Sequence, residues 1–325
     1  MAGDPGSRRR VTALEVPERR PLTGILLKVC SVVSFVVMSS LIKASGDVFA
    51  GQIVFFRSLF AIIPVVAVMA WRKELATAFY TRRPFSHVAR GLVGVTSMGL
   101  GFYALTKLPL PEWIAINYAQ PLIVVVFSAL FLSETVRFFR WTAVAVGFAG
   151  VIVVSWPKLT LITSGSPMGQ GEAVGVIAVL LGAAVSAVAQ LLVRRLLLTE
   201  KSATIVFWFS ITSTAAGLAT LPFGWSPLSL AQACFLIGTG LCGGIGQILM
   251  TESYRHADMS TIAPFEYTSM LLGIAIGYFV FSEVPTLYTI VGGTIVVGAG
   301  LFIIWREQKL GLATAAARKV TSTQG

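Results

Sequence analysis

The chain has 325 residues, of which 55% are hydrophobic and 12% charged, and it carries a net charge of +11; that is about half the charge fraction of a soluble chain. This composition excludes a water-soluble globular protein. The basic residues stand in short clusters between apolar runs rather than along one face, which excludes a nucleic-acid binder as well. Cys30, Cys234 and Cys242 lie inside apolar runs without CxxC spacing, so neither a disulfide framework, a metal site nor a cofactor is expected.

In chain order, residues 1–21 read as a polar, basic, disordered tail. Ser7-Arg8-Arg9-Arg10 faintly resembles a twin-arginine signal, but no A-x-A site follows and further spans come behind it, so the first apolar run is expected to be a retained helix. At about 20 apolar residues per span, the sequence predicts spans at 22–42, 51–71, 87–106, 112–132, 139–156, 172–194, 202–222, 231–252, 260–281 and 286–305. A tail at 307–325 follows. No period-two alternation supports a barrel, so the runs must be helices that satisfy their own backbone. Trp71, Trp113, Trp141, Trp156 and Trp305 fall at span ends, where an amphipathic ring suits the headgroup level.

Of the 25 Lys and Arg residues, 20 fall in segments on the N-terminal side of the membrane, while Lys43, Lys107 and Lys158 fall on the other. The positive-inside rule then places both termini in the cytoplasm. A shift of 149 residues aligns Gly91 with Gly240, Gly94 with Gly243, Tyr118 with Tyr267, Ser133-Glu134 with Ser282-Glu283 and Trp156 with Trp305; a shift of 152 aligns residues 53–55 with 205–207. The fold class expected is therefore an all-α membrane protein of ten transmembrane helices in two five-helix repeats, 22–157 and 171–306, joined by a periplasmic linker at 158–170. Five is odd, so the second repeat enters from the opposite side. Inverted repeats that rock about a midplane site are the geometry of alternating access.

The stretches Phe102-Tyr103-Ala104-Leu105, Ala119-Gln120-Pro121-Leu122, Leu132-Ser133-Glu134-Thr135, Gly147-Phe148-Ala149-Gly150-Val151 and Ala263-Pro264-Phe265-Glu266-Tyr267 resemble the drug/metabolite transporter superfamily with tandem EamA repeats. The resemblance covers nearly the whole chain apart from its tails. It implies a permease of a small organic metabolite in a bacterial inner membrane. Within that superfamily the Pro264-Phe265-Glu266 segment resembles riboflavin permeases, which implies riboflavin uptake, while related members carry S-adenosylmethionine or amino acids. The expected partners are a small-molecule substrate and the lipid bilayer, with a homodimer left open.

Glu266 lies in the ninth span, where an unpaired carboxylate costs several kcal/mol, and its repeat mate is Asn117 in the fourth. Pro121 and Pro264 interrupt those same two spans and free backbone carbonyls. Tyr118, Gln120, Phe265 and Tyr267 surround them, with Tyr103, Gln190 and Gln247 as weaker candidates elsewhere. Rings with hydrogen-bonding amides suit a flat heteroaromatic ligand, although each residue alone also suits plain packing.

Arg57, two turns into the second span, is expected to pair with Glu112 or an anionic substrate group, or to snorkel outward. Lys28 is expected to snorkel and is given no role. Glu252 is expected in an ion-pair cluster at the cytoplasmic face, and Glu134 and Glu283 to anchor loops. His87 and His256 are too far apart for a metal site. Gly238-Thr239-Gly240-Leu241-Cys242-Gly243 matches G-x-G-x-x-G but lies inside a span with no preceding strand. Its glycines, with Gly244, Gly273 and Gly277, are expected to pack spans eight and nine closely. A lipid-modifying membrane enzyme is the rival reading, and the absence of a paired-carboxylate cluster or a Ser/His/Asp grouping disfavours it. The sequence has no P-loop, so gradients or downstream trapping would supply the energy.

Overall fold

A computed structural model of the chain describes residues 21–73, 75, 80–81, 83–131, 136–160, 167–197, 199–200, 202–257 and 259–322. The N-terminal tail, Ser133-Glu134 and the side chain of Arg255 lie outside the described residues.

The described residues form helices, joined by short connections and containing no strand. They are α1 (Pro21–Ala44), α2 (Ala50–Trp71), α3 (Pro84–Lys107), α4 (Leu110–Asn117), α5 (Ala119–Phe131), α6 (Phe138–Thr160), α7 (Pro167–Leu197), α8 (Ser202–Leu218), α9 (Leu230–His256), α10 (Met259–Ile262), α11 (Thr268–Phe281) and α12 (Leu287–Ser322). Helices α4 and α5 together make the fourth span; α10, a 3-10 turn over Ala263–Tyr267 and α11 make the ninth. Among the described residues nine of the ten expected spans are helical segments long and apolar enough to cross a membrane, and the seventh contributes the shorter apolar segment Thr204–Leu218. The chain is a multi-pass membrane protein.

Boundaries differ from the sequence expectation where local chemistry intervenes. The seventh span ends at Leu218 rather than 222, since Pro222 can supply no backbone N–H and Gly224 takes a positive φ of 138° in the turn that follows. That turn is tied back to α2: Gln52 donates to the Ser226 carbonyl, and the Trp225 ring lies 5.2 Å from that of Phe55. Helix α6 runs to Thr160 and α7 starts at Pro167, so helix occupies both ends of the expected linker. The tenth helix continues to Ser322 through an alanine-rich stretch of high helix propensity. At the head of α9, Ser229 and Gln232 form a reciprocal capping box.

The two repeats pack as an inverted pair. Helix α1 lies along α9 and its counterpart α7 along α3; α2 packs on α9 as α8 packs on α3. Helices related by the repeat also touch each other, α2 against α8 and α6 against α12. Glycines carry the same relation to single residues. A Cβ on Gly91 would overlap Thr212 and one on Gly94 would overlap Phe209, while one on Gly240 would overlap Phe60 and one on Gly243 would crowd Arg57. Shifts of 149 and 152 residues convert the first two contacts into the last two. The close glycine approaches therefore join α9 to α2, through Gly240 and Gly244, and α11 to α4, where Gly273 faces Ile114 and Gly277 faces Pro111. They do not join spans eight to nine, as their sequence proximity suggests.

Ion pairs respect the alternation of faces. Lys43–Glu283 at 2.7 Å, Lys107–Asp47 at 3.0 Å and Lys158–Glu172 at 3.0 Å join helix ends on one face. Arg72–Glu252 at 2.6 Å and Arg140–Glu307 at 2.8 Å join ends on the other. Trp71, Trp141, Trp156 and Trp305 are exposed near those ends, as a headgroup belt requires. Leu105, Leu110, Ile116, Val154 and Val176 are fully buried between the repeats.

Candidate functional site

The fourth and ninth spans are both broken, and the breaks meet. Helix α4 stops at Asn117, Tyr118 caps it, and α5 restarts at Ala119 with Pro121 in its first turn. In the ninth span the 3-10 turn contains Pro264. A 3-10 turn leaves carbonyls that a continuous helix would have satisfied, and hydroxyl groups take them up. Thr268 donates to the Phe265 carbonyl at 2.6 Å, and Ser269 to the Glu266 carbonyl at 2.7 Å. The Tyr118 hydroxyl hydrogen-bonds the Ser269 side chain and also donates to the Glu266 carbonyl at 3.4 Å.

Tyr118 and Tyr267 are repeat mates and touch each other, ring centroids 5.1 Å apart and planes tilted by 55°. Tyr118 is buried; Tyr267 is half-buried, its hydroxyl set against Gly300 of α12 where a Cβ would overlap it. Gly300 makes room for that ring. A third ring intercalated between the two would need a separation of about 7 Å, twice a van der Waals stacking distance. A flat ligand therefore stacks here only when the fourth and ninth spans move apart.

Glu266 is exposed at the surface of this break, and its carboxylate pairs with Lys28 of α1. Lys28 does not snorkel outward: it is 2% exposed, with its ammonium 5.9 Å from the Tyr254 ring of α9. A buried ammonium without a counter-charge is costly, so this pair links α1 of the first repeat to the ninth span of the second. The signal in the sequence was the spacing of Gly24, Lys28 and Ser31, small or polar residues four and three apart on one buried face of α1.

Asn117, Gln120 and Phe265 are half-buried near the same break. Asn117 and Glu266 occupy equivalent positions in the two repeats, but the partner of Glu266 is Lys28. Tyr103 is exposed on α3, with Lys107 over its ring at 5.9 Å.

Arg57 does not pair with Glu112. Glu112 is 3% exposed and is held by Lys158 at 3.6 Å and by the Thr289 hydroxyl at 3.4 Å. Arg57 instead lines a cavity with Ala61, Val65, Arg90, Phe209 and Gln247, among others, between α2, α3, α8 and α9. Glu252 pairs with Arg72, as a face cluster requires. Glu283 accepts from both Lys43 and the backbone N–H of Leu110, so it anchors a loop. Among the described residues no group of three or more His, Cys, Asp and Glu side chains is placed to hold a metal ion.

The model of the EamA-like transporter family matches residues 22–156 and 173–306. Similar proteins include the pseudopaline exporter of Pseudomonas aeruginosa, 28% identical across 85% of this chain and 94% of that protein. The S-adenosylmethionine uptake transporter of Rickettsia felis is 26% identical across 89% and 94%, and the riboflavin transporter of Rhizobium johnstonii 27% identical across 71% and 74%. A protein solved by crystallography overlays with a TM-score of 0.62 at 16% identity, across 89% of this chain and 99% of the other, and has the same fold.

Proposed function

We propose that this chain, which belongs to the EamA-like transporter family, moves a small organic metabolite across a bacterial inner membrane by alternating access at the junction of the broken fourth and ninth spans. The observation that carries the reading is the contact between Tyr118 and Tyr267, equivalent residues of inverted repeats, beside the Lys28–Glu266 pair. Rocking of one repeat against the other separates such a pair on one side at a time. The basic residues crowd the face that holds both termini, which supports a cytoplasmic placement for them.

In the ligand-bound state Tyr118, Tyr267 and Phe265 would flank a ring, Asn117 and Gln120 would hydrogen-bond its edge, and Glu266 would exchange Lys28 for a polar group of the cargo. Pro121 and Pro264 would keep the two helices broken so that they flex. Such a set suits a flat heteroaromatic metabolite, with riboflavin first to test. S-adenosylmethionine is the second reading, favoured by the Lys28–Glu266 pair, whose two charges match the carboxylate and amine of an amino acid.

The test is uptake of labelled riboflavin, S-adenosylmethionine and amino acids into cells lacking their own routes, with an empty vector and the Glu266→Gln variant beside the wild type. Accumulation above the vector that drops in the variant supports the site. Undiminished transport by both Glu266→Gln and Asn117→Ala would remove it.

A further inference from the structure

Arg57 of α2 and Arg90 of α3 line one cavity in the membrane-spanning part of the fold, and among the described residues lining it there is no carboxylate. The Nε of Arg57 and the Nε and Nη1 of Arg90 are buried without a hydrogen-bond partner. Arg90 lies 3.7 Å over the Phe209 ring, a cation–π contact that offsets part of its desolvation but satisfies none of its N–H donors. Gln247 lines the same wall. The carboxylates of the described ion pairs are engaged with other bases: Glu112 and Glu172 with Lys158, Glu252 with Arg72, Glu266 with Lys28, Glu283 with Lys43, Asp47 with Lys107 and Glu307 with Arg140.

Two guanidinium groups facing one cavity in a low-dielectric setting repel each other and leave fork-shaped donors idle. An unpaired buried charge of this kind is strongly unfavourable, and a planar or tetrahedral oxyanion between the forks removes the penalty. The space is made on purpose by small residues: a Cβ on Gly243 would lie 3.2 Å from the Arg57 Nε. Neither charge has a repeat counterpart, since Phe209 and Thr239 occupy the equivalent positions. The cationic cavity is thus an addition to the symmetric scaffold rather than part of it.

We infer that Arg57 and Arg90, with Gln247, form a binding site for a carboxylate or phosphate group, and that the cargo of this carrier is an anionic or zwitterionic metabolite. The inference rests on the proposed transport function for its second half, and it shifts the expected cargo from a neutral flavin to a metabolite bearing an acid. An anionic lipid headgroup has the same chemistry and is separated by the test.

The full chain, purified in a neutral detergent, is unfolded thermally in sodium phosphate and in sodium succinate, each against sodium chloride at equal ionic strength. It is then unfolded in nanodiscs of phosphatidylcholine with and without phosphatidylglycerol. Ligand that binds the native state raises its melting temperature. The wild type is expected to melt several degrees higher in phosphate or succinate than in chloride, and the Arg57→Gln/Arg90→Gln double variant to lose that difference. Arg57→Lys, which keeps the charge but not the fork, is expected to lose most of it and serves where the double variant does not accumulate. Equal melting in all three salts together with equal melting in the two nanodiscs, or a shift that survives in both variants, overturns the site. Where neither soluble anion gives a shift, the carboxylate- or phosphate-cargo claim falls, and a phosphatidylglycerol shift that the double variant loses hands the arginines to lipid instead. Because the readout is binding, an anion shift without uptake of any labelled metabolite would sink the transport reading and keep the site, whereas uptake without an anion shift would do the reverse.

Discussion

Lys28 and Glu266 are 238 residues apart in the chain yet share one ion pair in which the lysine is 2% exposed. Removing the carboxylate leaves a buried ammonium, and removing both leaves nothing to neutralise. Glu266→Gln is therefore expected to destabilise the detergent-solubilised protein by about 1–3 kcal/mol, the cost of an unpaired buried polar group, with Lys28→Met/Glu266→Gln recovering most of it. A double-mutant cycle on thermal unfolding checks this, and additive effects would show that the pair is not coupled. Tyr118→Phe keeps the ring contact with Tyr267 but loses the hydroxyl bridge to Ser269 and the Glu266 carbonyl. It should lower stability by about 0.5–1.5 kcal/mol, read in the same melt. These pairings were not legible in the sequence, because the partner of a lone charge in one span can lie on any other. What was legible was the chemistry each residue needs: Glu266 required a counter-charge, and Arg57 required an anion or an exit.

At the scale of helices, the breaks at Pro121 and Pro264 could be read directly, since proline removes a donor wherever it stands. Pro64 and Pro157 lie within α2 and α6 without ending them, so proline alone does not locate a site. The distinguishing signal was that Pro121 and Pro264 sit beside repeat-related tyrosines. Pro264→Ala is expected to let α10 and α11 merge into one helix, sharply reducing transport with membrane insertion intact; normal uptake by that variant would show the break to be incidental. The glycine contacts separate just as clearly. Gly244→Ala would drive a Cβ into the Ala61 backbone carbonyl at 2.8 Å and against Pro64, and should cost about 1–3 kcal/mol through overpacking. Gly99→Ala, inside α3, meets nothing within 4 Å and should be neutral or slightly stabilising in the same unfolding measurement. Sequence spacing showed that these glycines mediate close packing but not which neighbour they meet, because a helix presents its small face according to tertiary order.

For the whole molecule, span number, inverted parity and relative sidedness all follow from hydropathy, charge and repeat. The helical continuation to Ser322 did not: the apolar run ends at 305, so residues 307–325 read as a tail, while their alanines favour helix. Orientation has a direct check. With Cys30, Cys234 and Cys242 replaced, Asp47→Cys should react with a membrane-impermeant maleimide added outside intact cells, and Arg140→Cys should react only after lysis. The opposite pattern would invert the topology.

Inversion also has an energetic consequence. In a carrier built from two related halves, the opposite-facing state is obtained by exchanging the conformations of the halves, so a contact between mates such as Tyr118–Tyr267 is carried onto itself. Lys28–Glu266 is not: Asn117 stands opposite Glu266, and residues 177–180, which correspond to Lys28, are Ile177, Ala178, Val179 and Leu180. If the chain alternates its access as proposed, the pair would act as a latch on one door of a two-door vestibule. The two states would then be unequal at rest, and a cargo able to compete for either end of the latch would set the ratchet moving.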